Sequence, residues 1–95
     1  MTAYVVFTRV RMKDQAEFDI YSPKAGVSIS ESNATPLAAY GKLEVLEGDP
    51  VEGAVIISFP TTADARAWYD GPKYTEAREH RFKGADYNVF IVEGV

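Results

Sequence analysis

The sequence predicts a single α+β domain whose elements run β-α-β-β-α-β. Three observations carry that expectation. The two ends of the chain, "AYVVFTRV" at residues 3–10 and "DYNVFIVE" at 86–93, are dense in the β-branched and aromatic residues that favour strands. A third segment, "AVIISFP" at 54–60, is apolar at nearly every position and reads as a strand buried on both sides. Between them, "DQAEFDIYSPK" and "TTADARAWYDGPKYTEAREHRF" carry helical spacing. Ninety-five residues suffice for one two-layer core, so residues 1–95 are taken as one domain.

Each element has its own justification. In strand one, Tyr4, Val6, Thr8 and Val10 point one way and Ala3, Val5, Phe7 and Arg9 the other. Both sets are largely apolar, so both faces are expected to meet something. In the first helix, Asp14 is placed to cap the backbone N–H groups and Glu17 sits near the positive end. Phe18 and Tyr21, with Ala16 and Ile20, supply the stripe to be buried. Pro23 is expected to end or restart this helix, and "VSISESNA" (27–34) has weak helix propensity and no evident state. Residues 37–47, "LAAYGKLEVLE", read as strand two, with "GDPVEG" as the hairpin connection to strand three. Thr61 or Thr62 caps the next helix. Asp70-Gly71-Pro72 breaks it, and Pro72 restarts it at a first-turn position where a missing N–H does no harm.

This order is the ferredoxin-like arrangement: an antiparallel four-stranded sheet with the helices on one face. The other face would then be open and apolar, a patch larger than a monomer usually exposes. Burial against a second copy removes it, so a homodimer is expected.

Composition excludes several function classes. Net charge is −4, and residues 14–60 set only Lys24 and Lys42 against eight carboxylates. An acidic chain without a basic stripe is a poor nucleic-acid partner. No apolar run approaches the ~20 residues of a membrane helix, and the amino terminus reads as a strand rather than a signal peptide. With no cysteine there is no disulfide, thiolate catalysis or cysteine-bound zinc. A cytoplasmic location is the simplest fit. The glycines stand alone beside turns, so no phosphate loop is present, and no cofactor is assigned.

The candidate chemistry lies in "WYDGPKYTEAREHR", residues 68–81. His80 is the only histidine, one helical turn after Glu76, which could orient its ring. It reads either as a general base or as a half-exposed helix histidine paired with Glu76. Haem ligation through it would lack any axial-ligand motif. Trp68, Tyr74, Arg78 and Arg81, with Tyr40 from the second strand, suit a pocket for a planar anion: rings stack and a guanidinium pairs bidentately. The bland alternative is a core aromatic cluster with solvated arginines paired to Asp70, Glu79 or Asp86. Tyr40, Lys42 and Glu44 would share a face of strand two, with Arg9 and Ser58 on neighbouring strands. Glu44 and Glu47 point to opposite faces and form no acid–base pair.

Several of these stretches coincide with a known pattern. "EVLEGDP" (44–50), "VIISFPTTADARAWYDGPKYTEAREHR" (55–81) and "FIVEGV" (90–95) resemble the domain of unknown function 1330 family, most specifically in "AWYDGPKY". The chain departs from it at Pro50, where many members have tryptophan, and at Ala39-Tyr40-Gly41, where many have Arg-Gly-Gly. A contact made by that arginine is therefore not carried over. The resemblance implies a dimeric α+β barrel and no particular reaction. The wider superfamily holds cofactor-free monooxygenases, muconolactone-type isomerases and haem-dependent enzymes. The expectation is a dimeric small-molecule-binding protein, with a cofactor-free enzyme acting on a small aromatic or anionic substrate as its sharper form. The alternative is a non-catalytic binding or scaffolding module.

Overall fold

The computed structural model describes all 95 residues. In chain order the elements are β1 (Ala3–Met12), α1 (Gln15–Ser30), β2 (Thr35–Ala39), β3 (Gly53–Phe59), α2 (Thr62–Asp70), α3 (Pro72–Gly84) and β4 (Ala85–Glu93). The sheet order is β2-β3-β1-β4, with every neighbouring pair antiparallel. That is the ferredoxin-like topology. No helix is long and apolar enough to cross a membrane.

β1 is central, as its two apolar faces require. Val5 lies opposite Ile57 on one side and Ile91 on the other, and Phe7 opposite Val55 and Val89. Ala3, Val5 and Phe7 are buried beneath the helices, and Val5 and Phe7 join Phe18 and Tyr21 of α1, Trp68 of α2 and Tyr74 of α3 in one core cluster. The opposite face carries Tyr4, Val6 and Thr8 beside Ser58, Ile56 and Ala54 of β3 and Val92, Phe90 and Asn88 of β4. Phe90 and Val92 remain 50% and 48% exposed there.

The helix starts follow the sequence. Asp14 accepts from the backbone N–H of Ala16 and Glu17, and Thr61 accepts from that of Asp64 at 3.0 Å. The end of α3 meets the start of α1 almost backbone to backbone. The Gly84 carbonyl accepts the N–H groups of Lys13 and Asp14 at 2.8 and 2.9 Å. A Cβ on Gly84 would stand 2.9 Å from the Phe18 nitrogen, so only glycine permits this approach.

Two expectations are corrected. Pro23 does not end the first helix: α1 runs unbroken through it and takes in residues 27–30 as well. Phe18, Tyr21, Ala25 and Ser28 lie on one face and are buried, and packing against α3 holds the segment helical despite its propensity. Strand two is the second correction, ending at Ala39 rather than residue 47. Tyr40 takes a left-handed backbone (φ 55°), which turns the chain off the sheet edge. Residues 40–52 then form a loop without regular structure in place of a tight hairpin. Leu43, Val45 and Leu46 are exposed along it, so Lys42 and Glu44 share no sheet face with anything.

Pro23 offers a direct check on the first correction. It lies in the helix interior on an exposed face, where proline costs about 3 kcal/mol relative to alanine. Pro23→Ala should therefore stabilise the protein by about 1–3 kcal/mol, read by chemical denaturation. An unchanged or lowered midpoint would contradict a continuous α1.

Candidate functional site

The helix-side core is organised by the break between α2 and α3. Gly71 is held by its N–H bonding to the Trp68 carbonyl at 3.2 Å, and a Cβ there would lie 2.8 Å from the Ala67 oxygen. The turn places Trp68 against Tyr74 with ring centroids 4.1 Å apart and planes 31° apart. Phe7 presents an edge to both rings from β1, at 6.2 and 6.3 Å. The indole N–H of Trp68 reaches the Ser28 hydroxyl at 3.3 Å, and that hydroxyl donates to the Ala25 carbonyl at 2.7 Å. Each buried polar group in this chain of contacts is thus satisfied.

Beside this stack is a cavity of about 210 Å³, walled by Phe7, Tyr21, Tyr40, Val55, Trp68 and Tyr74, with Ala25, Gly26 and Ala39 among its small residues. Its polar feature is the pair of hydroxyls on Tyr21 and Tyr74, 3.0 Å apart and buried. Burial pushes the Tyr21 phenol far above its ordinary range, reinforced by the neighbouring Tyr74. Burial likewise raises Tyr74, to about 12, against the opposing pull of the Arg81 charge and of the bond from Tyr21. Both phenols are protonated at neutral pH. One O–H of the pair is consumed by the bond between them and the other is left to donate.

A second aromatic–arginine group adjoins the first. The Tyr40 and Tyr87 hydroxyls meet at 2.5 Å. The Arg9 guanidinium lies beside the rings of Phe18 and Tyr40, at 5.3 and 5.2 Å from their centroids. Its Nε stands 3.3 Å from the Glu52 carboxylate, an ion pair without hydrogen-bond alignment. Burial and the bond to Tyr40 raise the Tyr87 phenol as well.

The structure brings Tyr40, Trp68 and Tyr74 together on one cavity wall. Arg81 is only 3% exposed, packed among the rings of Phe7, Phe82 and Tyr87. This overturns the solvated-arginine expectation for that residue. Asp70 is taken by Arg66, and Asp86 by Arg11 and Lys13. Arg78 instead lies over the Tyr69 ring at 4.4 Å, away from the cavity wall. His80 is also off that wall: its Nδ1 is 2.7 Å from Glu17 of α1. The expected Glu76 partner pairs with Lys24 at 3.0 Å instead, because α1 packing along α3 brings Glu17 to the imidazole. Ser58 faces the open side of the sheet, opposite Tyr4, and so never meets Arg9. Nothing in the sequence marks Tyr21, Tyr87 or Glu52 as site residues. Tyr21 reads there simply as core, and nothing in spacing ties it to Tyr74, 53 positions later. No group of three or more histidine, aspartate or glutamate side chains is placed to hold a metal ion.

An α+β ferredoxin-like domain with an aromatic, tyrosine-rich cavity between helices and sheet is thus the class that fold and geometry define. The chain belongs to the family of the domain of unknown function DUF1330, whose pattern matches residues 2–95. Among solved structures, a protein of unknown function from Rhodopseudomonas palustris is similar, with TM-score 0.78 and 15% identity over 99% of this chain and 82% of that one. A dimeric protein of unknown function with a ferredoxin-like fold, from Bacteroides fragilis, matches with TM-score 0.62 and 10% identity over 98% and 96%. SnoaB, a cofactor-independent oxygenase from Streptomyces nogalater, matches with TM-score 0.62 and 13% identity over 99% and 92%. No curated protein matches the chain. At such identities the likeness is one of fold.

The buried phenols set an alkaline limit on stability. Tyr74 titrates from 10.0 when unfolded to about 12 when folded, so the folded state holds its proton more tightly. Stability from this group is complete below pH 10.0 and lost as pH rises toward about 12. Melting temperature should fall across that interval, and Tyr74→Phe should flatten the decline. An identical decline in the variant would remove Tyr74 as its source.

Proposed function

We propose that the protein binds a small, single-ring organic molecule in the cavity between α1 and the sheet, and does so as a homodimer. The observation that carries the first part is the cavity wall itself. The Trp68–Tyr74 stack supplies flat apolar surface, and the Tyr21–Tyr74 pair supplies one uncommitted donor. This is the usual composition of a small-molecule site: mostly apolar, with few converging polar groups. A volume of about 210 Å³ suits one ring with a short substituent. Tyr40 walls the cavity on the loop side, held by Arg9 and Tyr87.

SnoaB is a cofactor-independent oxygenase, and a route here that began by removing a proton from the substrate would use an acceptor beside it. The two buried phenols hold their protons at neutral pH, and His80 is turned toward Glu17. We therefore read His80 as a tie between α1 and α3, and the cavity as a binding site first. Oxygen consumption with ring substrates bearing acidic protons would reverse that order if it were abolished by Tyr74→Phe.

The binding reading is tested at Gly26. This glycine lines the cavity, and a Cβ there meets nothing within 4 Å. Gly26→Leu should fold normally, since leucine favours a helix by about 1 kcal/mol over glycine, while blocking the cavity. A panel of single-ring aromatics scored by melting temperature should then stabilise the wild type and leave the variant unmoved. Equal shifts in both would place the ligand elsewhere.

The homodimer rests on the open sheet face, where Val6, Ile56 and Phe90 form a continuous apolar row across three strands. The dimeric relative from Bacteroides fragilis supports it. Phe90→Asp should halve the mass measured by sedimentation, because a carboxylate at the centre of a paired sheet face loses its water. An unchanged mass would remove this face as the interface.

A further inference from the structure

The geometry points to an organic anion, of the aromatic carboxylate class, as the ligand of this cavity, with Arg81 as the residue that compensates its charge. The inference rests on the proposed binding reading and deepens it.

Arg81 is a buried charge without a counterion. Arg81 is 3% exposed, yet its Nε and Nη1 have no hydrogen-bond partner, and Nη2 reaches only the Tyr69 hydroxyl at 3.5 Å. No carboxylate forms an ion pair with it, and aromatic faces surround it instead. A guanidinium always carries its charge, and burying one without a partner strongly disfavours the folded state. Arg9, the other inward-facing arginine, has Glu52 beside it. The space between helices and sheet therefore holds one positive charge in excess, inside a chain whose net charge is −4.

That charge lies next to the cavity wall. Phe7 walls the cavity and its ring centroid lies 5.9 Å from the Arg81 guanidinium, and Tyr69, the partner of Nη2, packs against the Tyr74 ring with centroids 5.4 Å apart. The Arg81 charge acts on both buried phenols in the direction that favours negative charge there. A ligand oxygen placed at the hydroxyl pair accepts the free phenolic O–H and lies in the field of Arg81. A neutral ligand satisfies the donor and leaves the charge uncompensated. An anion satisfies both, and its ring lies against the Trp68–Tyr74 stack. Discrimination of this kind is strong because the binding site, not the ligand, holds the unmet group.

The probes are benzoate and benzyl alcohol, which share a ring and differ in charge, with acetate as the charge lacking the ring. Dissociation constants are measured by calorimetry on the full chain. Wild type should prefer benzoate by about 10- to 100-fold, the range of one charge-assisted interaction, and acetate should bind more weakly than benzoate. Arg81→Met should bring benzoate to the level of benzyl alcohol and leave benzyl alcohol unchanged. Arg81→Lys keeps the charge without the fork and should retain part of the preference. Equal binding of the two probes to wild type, or undiminished benzoate binding to Arg81→Met, overturns this inference and leaves the cavity reading standing. Binding of neither probe defeats the cavity reading, and this inference with it. Should Arg81→Met fail to fold, the wild-type comparison of charged and neutral probes decides alone.

Discussion

Everything on the helix side of the sheet depends on the contact between Trp68 and Tyr74. The two residues lie on different helices, six positions apart in sequence, and would diverge on one continuous helix. Gly71 and Pro72 end α2 and restart the chain as α3, and the tight turn brings both rings onto Phe7. Tyr74 then fixes Tyr21, and through it the line of α1. The break in the helix is thus what allows three helices to cover one sheet with a single aromatic layer. Substituting Gly71 would press a side chain into the Ala67 carbonyl, and the layer would have to part.

That layer also explains why a cavity persists in so small a domain. Rings stacked at fixed angles leave space that neither they nor the small residues Ala25, Gly26 and Ala39 can fill. The space is a cleft that opens past the exposed Ser22, Gly26 and Tyr40, and the rings along it present apolar surface without a packing partner. The same region contains a buried guanidinium with two unmet donors. An unfilled space and an uncompensated charge are both costs to folding. Their coincidence around Tyr74 fits a site shaped for something the chain itself does not supply.

Much of the fold was legible because its signals are local. β1, β3 and β4 announce themselves by composition, and Asp14, Thr61 and Pro72 mark helix starts by chemistry that acts within one turn. The failures share a cause. "LAAYGKLEVLE" has the alternation of a strand, but a strand needs a partner along its length, and the backbone at Tyr40 turns away after Ala39. Pro23 argues locally against a helix that packing against α3 sustains. The site divides in the same way. Helical spacing links Tyr74, Arg78 and Arg81 in the sequence, whereas the contact of Trp68 with Tyr74 needs the break at Gly71. The partners of His80, and the pairing of Tyr21 with Tyr74, arise only when α1 lies along α3. No periodicity encodes that.

The single indole has an optical consequence. Trp68 is the only tryptophan, stacked on a phenol and bonded through its N–H to Ser28. Fluorescence excited at the red edge therefore comes from one ring in one environment, without averaging over several sites. That ring is at once part of the core and part of the cavity wall. Loss of the fold exposes it to water, whereas an occupant of the cavity exchanges one neighbour for another while the ring stays dry. The first event shifts the emission toward longer wavelength, and the second chiefly alters its intensity and lifetime. The molecule thus carries a built-in probe whose colour reports folding and whose brightness would report the occupancy proposed for the cavity.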